Sequence, residues 1–265
     1  MQSISLFTAA YAFARQRGLL DTRLGRSLFI AAYFRYKKHL EDPFAGLVEK
    51  RPELFRGGHI IDAGANIGYC SALFSRVLDP GRSVFAFEPE PFNVSLLEHV
   101  IRTRKLARVV PIQAAVGAAE GEIRLQLNPR HHGDHRIAAG GGQPAESCIT
   151  VPLVSIDAFL DRQQAATPVC FIKIDVQGYE QAVCQGAEQT LAQNPECRVV
   201  LEYMPEAMEA LGFRPADLLD WFQRRGYFAY TLHKDGGITD GFPADIGATG
   251  YVDLLFSLRP MKKCT

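Results

Sequence analysis

From residue 59 onward the chain alternates two patterns: short unbroken apolar runs, and longer stretches whose apolar positions fall three and four apart. An unbroken run suits a strand covered on both faces, and the wider spacing suits a helix with one apolar stripe. The expected strands are 59–62, 83–88, 108–113, 169–174 and 198–203, and the expected helices are 67–78, 91–104 and 179–191. Such alternation predicts an α/β fold with a parallel sheet and helices on both of its faces. A further helix is expected from Pro215 to Arg225. Two more strands follow, Tyr227–Leu232 and Val252–Leu258, joined by a turn-rich stretch from Lys234 onward.

Two regions depart from the alternation. In residues 1–56 the apolar positions Leu6, Ala10, Phe13 and Ala14, then Leu28, Ala32 and Phe34, recur near helical spacing. They predict a helical cap on a main domain spanning 57–265, with Gly57-Gly58 breaking the pattern between them. A membrane-surface or dimer helix is the alternative for this segment. Tyr33, Phe34 and Tyr36 read as core filling, with stacking on a sugar as the other reading. The second departure is an insertion at about 120–153: two short strands, Glu122–Leu127 and Ile149–Leu153, flank a polar, glycine-rich loop from Asn128 to Ser147. A loop of that length is functional or disordered more often than it is a plain connection.

Composition narrows the class. With 265 residues and 47% hydrophobic content, the chain can bury one sizeable core. Its 29 basic and 29 acidic residues cancel, which argues against nucleic acid or an anionic membrane as a partner. Cys70, Cys148, Cys170, Cys184, Cys197 and Cys264 form no C-x-x-C pair and suit reduced thiols in the cytoplasm. No apolar stretch reaches the length of a membrane span, and Arg15 and Arg17 follow rather than precede the N-terminal apolar residues, so neither an integral membrane segment nor export is expected.

Candidate chemistry gathers at the strand ends. The first strand ends in Asp62-Ala-Gly-Ala-Asn-Ile-Gly68 and the second in Glu88-Pro89. In an open parallel sheet the ligand lies beyond such ends, and glycines let backbone come close to it. Gly64 and Gly68 are spaced by four and preceded by Asp62, unlike the dinucleotide fingerprint G-x-G-x-x-G. A carboxylate there repels a pyrophosphate and suits an ammonium. Together with Glu88, placed to accept hydrogen bonds from ribose hydroxyls, it points to S-adenosylmethionine rather than NAD. The expected donor site is Asp62, Gly64, Ala65, Asn66, Gly68, Glu88, Pro89 and Asp175. Ala114, Ala115 and Val116 form either an adenine wall or ordinary core. Asp175 ends a buried strand, with Lys173 on the same face as a candidate partner; capping of the helix near Gly178 is the rival role. Glu180 reads as a first-turn acid of that helix. Glu202 either orients an acceptor hydroxyl or makes a structural pair.

The motifs D-x-G-A-N-x-G at 62–68, F-E-P-x-P at 87–91 and I-D-V-x-G-x-E at 174–180, followed by an apolar helix and Gly186-Ala187, resemble the FkbM family of S-adenosylmethionine-dependent methyltransferases over roughly residues 59–204. The resemblance implies a class I methyltransferase Rossmann-like sheet of seven mostly parallel strands, the last antiparallel. It implies O-methylation of a hydroxyl on a sugar or other secondary metabolite. It assigns Asp62, Gly64, Asn66 and Gly68 to the donor's aminoacyl end, Glu88 to its ribose and Asp175 to the active-site floor. Gln177 stands where the family often has glutamate, and His99 where its second helix often has asparagine. Gly133-Asp-His-Arg136 is similar to a short family element and favours His135 as catalytic base; a metal held by His131, His132, Asp134 and His135 is the weaker reading, because ligands crowded in a loop lack preformed geometry. No metal is expected, and a homo-oligomer through the N-terminal helices is a candidate assembly. The rival classes are a non-catalytic scaffold that retains the fold and an NAD-linked oxidoreductase.

Overall fold

The central apolar runs become strands that are shut off from water along their whole length, among them β1 (His59–Ala63) and β2 (Val84–Phe87). β3 (Val109–Ile112) follows, then a group of four: β4 (Ala115–Val116), β5 (Gly121–Gln126), β6 (Arg136–Ile137) and β7 (Cys148–Val154). β8 (Val169–Ile174), again buried throughout, precedes β9 (Arg198–Tyr203), β10 (Phe228–Leu232), β11 (Ile238–Asp240) and β12 (Val252–Ser257). The computed structural model describes residues 11, 13–128, 135–138, 148–163, 168–243, 246 and 250–261.

The main sheet has eight strands in the order β11-β10-β12-β9-β8-β1-β2-β3. β3, β2, β1, β8 and β9 run parallel, while β12 lies antiparallel to both β9 and β10. The seven expected strands are therefore present. The eighth, β11, is an addition: a tight turn at His233–Gly237 folds it back on β10. Strand order reverses between β1 and β8, which opens a crevice beyond their carboxyl ends. The insertion forms a second sheet, β4-β7-β5-β6, beside that crevice.

From Arg23 onward, the α-helices among the described residues are α1 (Arg23–Tyr36), α2 (Phe44–Lys50), α3 (Tyr69–Val77), α4 (Pro91–Thr103), α5 (Ile156–Gln163), α6 (Glu180–Gln185), α7 (Glu188–Gln193), α8 (Pro205–Ala210) and α9 (Pro215–Arg224). The single helix expected over 179–191 is broken into α6 and α7. A Cβ on Gly186 would overlap the Gly117 carbonyl, so the chain bends there to bring the two sheets' elements together. α8 was not foreseen; Pro205 at its first turn starts a helix too short to show a period.

The N-terminal segment is helical, but its buried face is not the expected one. Phe13 and Leu28 are 55% and 63% exposed, while Tyr11, Ile30 and Tyr33 are buried. Leu6 and Ala10 lie outside the described residues. Tyr33 fills core as expected, and Phe34 sits edge-on to Tyr69, with ring centroids 5.2 Å apart. Phe44 of α2 and Phe55 pack on Phe74 and Phe171, so the segment shares its core with one face of the sheet. The other face is filled around Phe85, Phe87 and Phe159, and by Phe222 stacked on Phe256 at 3.8 Å.

Candidate active site

Beyond β1 the chain turns through Gly64 (φ 79°), Asn66 (φ 51°) and Gly68 (φ 85°) before α3 begins. The turn is pinned from outside: the N–H groups of Gly64 and Ala65 both donate to the Phe87 carbonyl, at 3.0 and 2.8 Å. The room made by the glycines goes to protein, which corrects the expectation that both make way for ligand. A Cβ on Gly64 would overlap the Asp175 carbonyl, and one on Gly68 would overlap Leu97 of α4. Gly64 still borders the cleft; Gly68 and Ala65 do not.

Glu88, at the end of β2, is 5% exposed and faces that turn. Its Oε2 accepts the Asn66 N–H at 2.9 Å, and its Oε1 accepts the Glu90 N–H at 3.0 Å and Asn93 Nδ2 at 3.3 Å. Burial pushes its pKa up to about 7 in spite of those three donors. Asn93 is thus the asparagine that serves this site. His99, singled out from the sequence, faces the other way and meets Ser27 Oγ at 3.1 Å.

Asp62 does not line the cleft. It is fully buried below the turn, where Ser71 Oγ donates to Oδ2 at 2.5 Å and Lys173 Nζ lies 3.2 Å from Oδ1. Lys173 is the hub: it also donates to the Gly64 carbonyl at 2.8 Å and stands 3.6 Å from Asp175 Oδ2. Burial would strip its proton, but Asp62 and Asp175 together hold it above the ordinary lysine range. Burial likewise opposes the charge on Asp175, yet Lys173, Lys37 and a hydrogen bond from Gln177 keep its pKa below the usual carboxylate value. The helix-capping alternative for Asp175 fails because α6 has Tyr179 at its N-cap and no side-chain cap hydrogen bond; Glu180 instead reaches back to accept the Gly178 N–H of the preceding turn at 3.0 Å.

Gln177, in left-handed backbone (φ 56°), donates from Nε2 to both Asp175 Oδ1 and Glu202 Oε2, each at 3.0 Å. Glutamate, common here in the resembled family, could not donate to both. Glu202 borders Asp253 across the β9–β12 pairing, and burial together with Asp175 and Asp253 drives its pKa well up. It stands beside the cleft rather than on its wall.

The cleft itself is lined by Gly64, Asn66, Glu88 and Pro89 on one side, Asp175 to Gln177 and Tyr179 on another, and Ala114, Ala115 and Val116 as an apolar wall. Leu125 and Ile137 of the second sheet, with His135 just before β6, border it on a further side. His135 Nδ1 accepts the Asn128 N–H at 3.0 Å, so the neutral ring carries its proton on Nε2. That tautomer donates rather than accepts, which removes the simplest form of the base role expected for His135. His131, His132 and Asp134 lie outside the described residues, and no group of three metal-capable side chains occurs among the described ones.

A doubly wound sheet with an inserted antiparallel strand and acids at the carboxyl ends of β1, β2 and β8 defines a class I methyltransferase architecture. The Methyltransferase FkbM domain matches residues 62–229, and the chain belongs to that family. Among solved structures, methyltransferase FkbM from Methylobacillus flagellatus aligns at 18% identity and TM-score 0.50, over 84% of this chain and 50% of that one. This chain therefore spans half the length of that relative, and the likeness is one of fold. An O-methyltransferase from Bacillus cereus solved with SAH aligns at 12% identity and TM-score 0.47, over 81% of this chain and 78% of that one. An rRNA methylase from Streptococcus thermophilus aligns at 10% and 0.46, over 82% and 92%. A search of curated proteins returned no match.

Proposed function

We propose that this methyltransferase carries a methyl group from S-adenosylmethionine to a hydroxyl of a sugar or other small secondary metabolite. The observation that carries the reading is Asp175: a carboxylate kept ionised at the edge of the cleft, a strand away from the turn that Glu88 closes. The donor supplies an electrophilic methyl on a sulfonium; as the acceptor oxygen takes it, the carbon–sulfur bond breaks and the electron pair stays on sulfur. In this reading Glu88 accepts from the ribose hydroxyls, Ala115 and Val116 flank the adenine, and Asn66 and Pro89 shape the turn around the donor. Asp175 accepts the acceptor hydroxyl's proton while Gln177 and Lys173 fix its orientation, and proton removal of this kind is worth roughly 10²–10⁴-fold. Asp62 acts through Lys173, Glu202 steadies Gln177, and His135 offers its Nε2–H to the acceptor.

Among the described residues no helix is long and apolar enough to cross a membrane, and Cys70, Cys148, Cys170, Cys184 and Cys197 are free thiols. Both suit a small cytoplasmic acceptor. Self-association through the exposed Leu24 and Leu28 of α1 completes the reading, and light scattering tests it.

The decisive experiment incubates the protein with methyl-labelled donor and a panel of sugars and glycosylated metabolites. Label transferred to oxygen, lost in Asp175→Asn but with SAH binding retained, is the expected result. SAH binding without transfer to any acceptor favours the scaffold reading, and stabilisation by NAD but not SAH favours an oxidoreductase.

A further inference from the structure

On the far side of α3 from the cleft lies a second cavity, of about 410 Å³, bounded by the end of α1, α2, α3 and the residue after α4. It shares no lining residue with the cleft. Its wall brings together Arg35, Lys38, His39, Arg76 and Arg104. Glu49 is the single acid among its described lining residues. Four permanent cations against one carboxylate leave a local charge of about +3 in a chain whose total is zero.

Several basic side chains elsewhere on the surface are paired with acids: Lys50 with Asp235, Arg162 with Glu120, Arg225 with Glu188 and Arg259 with Glu196. None of the five at this cavity makes an ion pair or a side-chain hydrogen bond with a described residue. Arg104 lays its guanidinium on the Phe34 ring, 4 Å-scale contact distance (3.9 Å to the centroid), and burial with the neighbouring Arg76 charge lowers its pKa. Tyr69, only 5% exposed, borders the same cavity, and its buried hydroxyl has no hydrogen-bond partner among the described residues. Three guanidiniums and an ammonium outnumbering a single carboxylate suit planar, forked recognition of phosphate. The remaining wall, from Ala45, Val48, Ala72 and Leu73, is apolar, and a room of this size falls within the roughly 300–1,000 Å³ range of small-molecule sites.

We propose that this cavity is a second ligand site, taking a soluble phosphate or diphosphate ester whose anionic end lies among Arg35, Lys38, Arg76 and Arg104 and whose carbon skeleton lies on the apolar wall. The site is independent of methyl transfer. Inorganic pyrophosphate serves as the probe, titrated calorimetrically into the full chain at low ionic strength. Saturable binding of one equivalent is expected, unaffected by saturating SAH and weakened by about tenfold or more in Arg76→Gln/Arg104→Gln, whose SAH affinity is unchanged. Lys38→Gln, exposed in the π-helical segment Lys37–Glu41, provides a milder variant with the same direction of effect should the double substitution disturb folding. Absence of saturable binding, equal affinity in all variants, or competition by SAH overturns the proposal. So does binding to phosphatidylglycerol vesicles without binding of pyrophosphate, which would make the patch a lipid-surface contact.

Discussion

In the proposed role at the ribose, Glu88 sets how donor binding responds to pH. Its pKa is pushed up to about 7, and only the ionised carboxylate can accept from two ribose hydroxyls while keeping its bonds to Asn66 and Asn93. SAH affinity should therefore tighten as pH rises through about 7 and level off above it, and calorimetry across that range checks this; a flat profile removes Glu88 from ribose binding. Lys173 carries the larger structural burden. Lys173→Met leaves Asp62 fully buried without its cation and should cost about 3–5 kcal/mol in urea unfolding. Gln177→Glu puts a third carboxylate between Asp175 and Glu202 and removes two donated hydrogen bonds, so a loss of about 1–3 kcal/mol is expected, partly recovered on acidification. The acids at the strand ends were legible because an acid closing an apolar run has few structural excuses. Their partners were harder to see. Asp62 and Gly68 face protein rather than ligand, and Asn93, Ser71 and Gln177 lie on elements whose orientation only the packing determines.

At the scale of elements, the second sheet forms one border of the cleft, through Leu125 of β5, Ile137 of β6 and His135 just before β6. In the proposed reading the bound donor lies against this border. Hydrogen exchange at residues 121–126 should slow when SAH is bound, whereas unchanged exchange there would mean that the donor enters from another side. The long runs β1, β2 and β8 were readable because burial on both faces leaves no polar interruption. The break between α6 and α7 was not, since it answers to Gly117, far away in sequence. Nor was the buried face of α1, whose apolar residues outnumber the positions that the core can cover and leave Leu24 and Leu28 outside.

Across the whole molecule, the acids at the carboxyl end of the sheet make stability depend on pH. Burial raises Glu88, Glu180 and Asp253 to about 7, so the folded chain holds more protons than the unfolded one between the ordinary carboxylate range and that value. Stability contributed by these protons is present on the acid side and declines as pH rises through about 7. His59 and His99, lowered by burial, oppose this only where unfolded histidine is protonated. The urea midpoint of the ligand-free protein should therefore be higher at about pH 5.5 than at about pH 8; the reverse order would mean that the acids are ionised at little cost. One feature of the sheet reaches beyond equilibrium. Because β12 is hydrogen-bonded to β9 on one side and β10 on the other, a ribosome that has released everything up to Tyr251 has still delivered two fragments with raw edges and no rung between them. Until residues 252–257 slot into that gap, the nascent protein offers two sticky borders to its neighbours, so late truncations should aggregate and chaperones should hold this chain until its synthesis has passed that strand.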